Sequence, residues 1–212
     1  MSVDARAASK RALLVLALQV LALHVALLAA WPLVRPVFAP AFRVSVQFAL
    51  GLIDPLPGPI DAVFEPGSGG ILAVNLPQMD TEVHLRHRTL GGADASFGAS
   101  SYFHAWVPTT VLLALFVAAA PLPWSTRRWR LALALALLFA FVALRCAVAA
   151  YYCYSKCNVD GVPLVDLGPN AARALFLGWD FVFGEDFPNY VVPITLWALA
   201  VFGGRSRGEP DA

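Results

Sequence analysis

Acidic residues are missing from every long apolar stretch of this 212-residue chain. Charge of either sign is scarce, with Asp, Glu, Lys and Arg at 14% of residues against 59% hydrophobic. A soluble domain carries about 25% charged residues, so this segregated composition excludes an ordinary water-soluble fold. No HExxH or Cys/His cluster is present, and no metal site is expected. His84 and His87, three apart on an expected strand, point to opposite faces, and His104 lies far from both along the chain. No G-x-S-x-G frame surrounds Ser96, Ser100 or Ser101, and no phosphate-cradling glycine loop follows a strand. Gly67, Gly69 and Gly70 are turn residues. A basic stripe with interleaved aromatics is also lacking, so no nucleic-acid partner is expected. Nothing calls for a cofactor.

What is present is four apolar runs, at 12–34, 104–123, 131–153 and 188–204. Each is near the ~20 residues that cross ~30 Å of hydrocarbon, the last at the lower limit. They predict an α-helical integral membrane protein: a four-helix transmembrane bundle with a small β-containing extracytoplasmic lobe. Arg6, Lys10 and Arg11 precede the first run, Arg127, Arg128 and Arg130 join the second to the third, and Arg205 and Arg207 follow the fourth. If every run spans, these basic residues share one side, which the positive-inside rule assigns to the cytoplasm with both termini. Leu-Ala-Ala-Trp at 28–31 offers no good cleavage site, so the first run is expected to be a retained anchor in the inner (plasma) membrane.

Residues 35–103 are expected to form the extracytoplasmic lobe. Pro36 and Pro40 break or turn the chain, and 41–53 then forms an interfacial helix or the foot of the lobe, the alternative being a bent continuation of the first helix. Short β-type runs follow at 62–64, 71–76 and 82–90. In the last, Glu82, His84, Arg86 and Arg88 share one face and Thr81, Val83, Leu85 and His87 the other. Such a small lobe buries little core of its own, so it rests on the membrane or on a partner. The link STRRWR makes the second and third spans antiparallel neighbours. Residues 154–187 form an outer loop with a short amphipathic helix that Asn170 caps. That helix carries Arg173 and Asp180 and either lies flat or dips into the membrane.

Arg145 is the most informative single residue. It lies in the third span about eight residues before Tyr151, Tyr152 and Tyr154, hence ~12 Å below the outer surface. A charge at that depth needs a partner or a wet cavity. Neutral acceptors are available: His24 at comparable depth, Gln19 one to two turns deeper, Thr109, Thr110 and Thr195, or carbonyls near Pro193. Arg145, His24, Gln19 and Arg173 are the candidate ligand- or partner-binding residues, and no catalytic residue is assigned.

Cys153 and Cys157 bracket Tyr-Ser-Lys at the outer helix end, where a disulfide is permitted. Cys146 reads as a small buried apolar residue. A four-span, quinone-linked disulfide oxidoreductase would need a Cys-x-x-Cys pair in its first outer loop, and residues 35–103 hold no cysteine. The enzymatic alternative is thiol-transpeptidase-like chemistry on Cys146, Arg145 and His104. Adjacent helix residues point ~100° apart, which works against it.

The first span ending in WPLVRP and running into 41–53 leads to a short β-rich lobe. YFHAWVPTTVLLALFVAAAP follows, leading through RRWRLALALALLF, and the last span is VVPITLWALAVF. In this layout the chain resembles the small membrane proteins associated with exosortase H. The resemblance implies a non-enzymatic, multipass inner-membrane accessory or scaffold that assists an exosortase-type protein-sorting system, with the bilayer and an exosortase-like membrane protein as partners. The alternative is a membrane-embedded enzyme or anionic-ligand-binding protein centred on Arg145.

Overall fold

The computed structural model of the chain describes residues 3–53, 60–66, 81–87, 94–119, 122–156, 158–159, 162–163, 168–180 and 187–203. The expected strand at 71–76 and Cys157, with its pairing to Cys153, lie outside them. The architecture is mostly helical with a small sheet.

Helix α1, Val3–Ala29, is uninterrupted because its sequence holds neither proline nor glycine. It breaks at Ala30, since Pro32 has no N–H to continue the ladder. The chain turns helical again at once, as Leu33 and Val34 both donate to the Ala30 carbonyl. Helix α2 then runs Trp31–Ile53 with Pro36 and Pro40 inside it. The expected break at these prolines is therefore corrected, and 41–53 is the second half of a longer helix. The spacing explains the tolerance. Pro32, Pro36 and Pro40 are four apart, so their missing hydrogen bonds fall on one exposed flank. Another face of the same helix, Trp31, Ala39, Phe42 and Val46, is buried and holds it in place.

Strands β1 (Ile60–Pro66), β2 (Thr81–His87) and β3 (Asp94–Ala99) form an antiparallel meander. Glu65 pairs with Glu82 and Val83 with Phe97 in the register. The alternation expected for β2 is seen where side chains are described: Thr81 and Val83 are buried, Glu82 and His84 half-buried. Strand β3, DASFGA, was not expected, because Ser96 and Gly98 obscure its period.

After Ser100 and Ser101 a π-type turn, Tyr102–Trp106, leads into α3, Val107–Ala119. Helix α4, Trp124–Ser155, has 32 residues, so the expected link STRRWR is in fact its first turns. Hydropathy marks where an apolar layer ends, but a sequence without Gly or Pro has no reason to stop being helical there. Strands β4 (Asn158–Val159) and β5 (Val162–Pro163) pair antiparallel. Helix α5, Pro169–Trp179, is capped by Gly168, with Pro169 at its first position. Asn170 is thus inside the helix and is not its cap. Proline suits that first position because its absent N–H would have been unsatisfied anyway. Helix α6 spans Pro188–Phe202.

Arg11–Ala29 (19 residues) and Trp124–Cys153 (30 residues) are long and apolar enough to cross a membrane by length and composition. Tyr102–Ala118 and Pro188–Phe202 are apolar but shorter. Helix α3 is central, packed against α1, α4 and α6. Leu112 and Phe116 of α3, Ala134 and Leu138 of α4, and Val201 of α6 form one core. A second core joins Phe42 and Val46 of α2 to Val142, Cys146, Ala149 and Ala150 of α4 and to Val83 and Ala99 of the sheet. The sheet therefore rests on this chain's own α2 and α4.

Candidate functional site

Arg145 is 1% exposed, the largest fully buried side chain among the described residues. Its Nη1 donates to Oδ1 of Asn189, itself 3% exposed, at 2.5 Å. The guanidinium carbon stands 5.8 Å from the centre of the Phe141 ring, one turn toward the helix N-terminus, the direction in which helical side chains lean. The expectation of a neutral acceptor holds in kind, but the acceptor is Asn189. That residue was missed because it stands at the head of the fourth apolar run, where sequence places it at the surface. Helix α6 has only 15 residues, or about 22 Å. Its first turn therefore starts well inside the much longer α4, level with Arg145. The available signal was an amide beside a run at the lower limit of length for a span.

A second arginine ties the same two helices at their other end. Arg130 Nη1 donates to the Ala200 carbonyl at 2.5 Å and to that of Val201 at 3.4 Å. Arg127 Nη2 likewise donates to the Leu122 carbonyl at 3.1 Å, just past the end of α3. Helix C-termini carry unsatisfied carbonyls and partial negative charge, so cations there are favourable. The basic cluster read as an orientation signal thus also closes the ends of α3 and α6.

The remaining candidates do not converge on Arg145. His24 is bonded to Thr110, with Nδ1 3.0 Å from the hydroxyl oxygen, and its ring meets Tyr190 edge-on at 6.3 Å. Thr109 donates to the Ala105 carbonyl at 2.6 Å and Thr110 to that of Val107 at 2.8 Å, the usual way a helical threonine satisfies its hydroxyl. Gln19 is exposed on α1, and Arg173 is exposed on α5. Cys146 is 0% exposed and enclosed by the second core.

His104 is fixed by a reciprocal arrangement with Ser100. The Ser100 N–H donates to His104 Nδ1 (3.1 Å), the His104 N–H to the Ser100 carbonyl (2.9 Å), and the Phe103 N–H to the Ser100 hydroxyl (3.2 Å). This is the logic of a capping box, satisfying donors at a helix start. Because Nδ1 accepts, the neutral ring carries its proton on Nε2. Trp31, Phe38, Tyr102 and Trp106 pack beside this turn with ring centres 5.0–6.1 Å apart. On the sheet, His84 Nε2 lies 3.9 Å from carboxylate oxygens of Glu65 and Glu82, at the edge of ion-pair reach and partly in solvent.

The arrangement is thus one of ties between helices: Arg145 with Asn189, Arg130 with the end of α6, and His24 with Thr110. Compared with known proteins, the chain matches no protein-family model, no curated protein and no solved structure.

Proposed function

We propose that this chain is a four-span inner-membrane protein with cytoplasmic termini, and that its work is non-enzymatic: it is a scaffold that holds a membrane partner under or beside its outer lobe. The carrying observation is a closed interior joined to an open apolar exterior. Leu14, Leu18, Leu21 and Val25 of α1, Leu133 and Leu137 of α4, and Ile194 and Leu199 of α6 all face outward. Soluble monomers rarely present such extended apolar surface, whereas lipid and partner helices match it. The 15-residue α6 and the helix Tyr102–Ala118 are short for a bilayer, which favours local thinning or cover by another protein. The layout shared with exosortase H-associated proteins directs the choice of partner to an exosortase-type sorting transpeptidase.

Affinity purification in mild detergent, with identification of co-purifying membrane proteins, tests the scaffold. A topology reporter fused after Gly204 tests the orientation. Recovery of the chain alone, or an externally accessible carboxyl end with an internal amino end, would defeat the proposal.

One observation favours a rival reading, namely that a cation, Arg145, is fully buried in the bundle. The rival is an anionic-ligand or thiol-transfer site there, against which stands the enclosure of Cys146. Arg145→Leu separates the two. Failed assembly supports the scaffold, and intact insertion and complex formation with lost activity supports the rival.

A further inference from the structure

We propose that α1 is a self-association helix: two copies of this chain pack side by side along one flank of α1, with their Gln19 carboxamides hydrogen-bonded to each other inside the bilayer. This rests on the membrane-spanning reading above. Within Arg11–Ala29, Gln19 stands eight residues (19 − 11) from one end and ten (29 − 19) from the other, near mid-depth. Its side chain is exposed and has no hydrogen-bond partner among the described residues. His24, the other polar side chain between Ala12 and Ala29, is by contrast taken up by Thr110. An amide facing hydrocarbon alone loses its hydrogen bonds to water and gains none, so it favours association with another polar group.

The flank on which Gln19 lies is built for close approach. Ala12, Val15, Gln19, Ala22, Ala26 and Ala29 alternate spacings of three and four, the 3.5-residue repeat of a helix pair, and all six are exposed. Around the helix this flank differs from the partly buried wall of Leu16, Val20, Leu23 and Leu27, and from the large outward side chains Leu14, Leu18, Leu21 and Val25. Small residues let two backbones come together, and a single polar residue in the seam sets its register.

A second copy fits better than a different protein because a carboxamide both donates and accepts. A two-fold axis parallel to the helices puts each Gln19 opposite its counterpart at one depth, and each amide then satisfies the other. The flank carries no charge that a heterologous ionic partner would need.

The test uses full-length chains bearing two different tags, co-expressed and captured through one tag after mild solubilisation. Alkaline carbonate extraction of the same membranes reports integration separately. The expected result is co-capture of wild-type copies, about tenfold weaker for Gln19→Leu and largely retained for Gln19→Asn. In intact membranes under oxidant, Ala22→Cys should add a disulfide-linked dimer to the background of the unsubstituted chain, and Leu21→Cys should not. Integrated wild-type copies that neither co-capture nor cross-link through Ala22→Cys would overturn the proposal, as would unchanged association of Gln19→Leu. Release of the chain by carbonate would instead defeat the membrane reading, and the proposal with it.

Discussion

Replacing Asn189 with leucine takes away the acceptor that holds Arg145, and burial sets the size of the effect. Neither partner can turn to solvent at 1% and 3% exposure. A hydrogen bond to a charged group contributes about 1.5–3 kcal/mol, and a charge left buried without its acceptor adds to the loss. Two factors reduce the total. Arg145 keeps other interactions, the Phe141 face among them. Unfolded segments in a membrane also find partners of their own. Asn189→Leu is therefore expected to lower stability by about 2 kcal/mol.

Arg145→Leu alone should cost about 1–3 kcal/mol, because it strands the Asn189 amide. The double variant should recover much of the loss, since both polar groups leave together and apolar replacements of buried polar pairs are often close to neutral. The measurement is an unfolding cycle on the four proteins in mixed detergent micelles, followed by far-UV circular dichroism. A coupling of about 1.5 kcal/mol is expected. A loss below about 0.5 kcal/mol for Asn189→Leu, or strict additivity in the cycle, would refute the view that this pair binds α4 to α6.

Three further outcomes follow from the same contacts. Arg130→Gln should lower stability by about 1 kcal/mol by uncovering the last carbonyls of α6, and should speed proteolysis of the tail after Phe202. Thr110→Val removes the hydroxyl that joins His24 to α3, for about 1 kcal/mol in the same unfolding assay, with the loss abolished when His24 is already Leu. Gly178→Ala should raise stability by about 0.5–1 kcal/mol, because an added Cβ would meet only Val148 Cγ1 at 3.8 Å while helix α5 gains a better former. A fall in melting temperature for Gly178→Ala would show that this face of α5 is more tightly enclosed.

Apolar length, basic flanks and the period-two run in β2 were all legible in the chain, because hydropathy and alternation are local properties. They indicate where the helices and one strand lie, that a charge at Arg145 must find a neutral partner, and that Cys146 is a buried apolar residue. Helix boundaries were less legible. Pro36 and Pro40 read as breaks until their four-residue spacing is seen to gather the lost bonds on one outer flank of α2. The residues STRRWR read as a link because polarity ends an apolar run without ending a helix.

Pairings belong to the tertiary structure alone. Which amide meets Arg145 depends on α6 being short and starting deep beside α4, a fact of relative helix height that no local pattern carries. The separation of Gln19 from Arg145 depends in the same way on how α1 is turned about its axis, which packing against α3 decides. Composition determines that these polar groups must be satisfied. Only the three-dimensional arrangement, by fixing height and rotation, decides which does so within the chain and which is left facing outward.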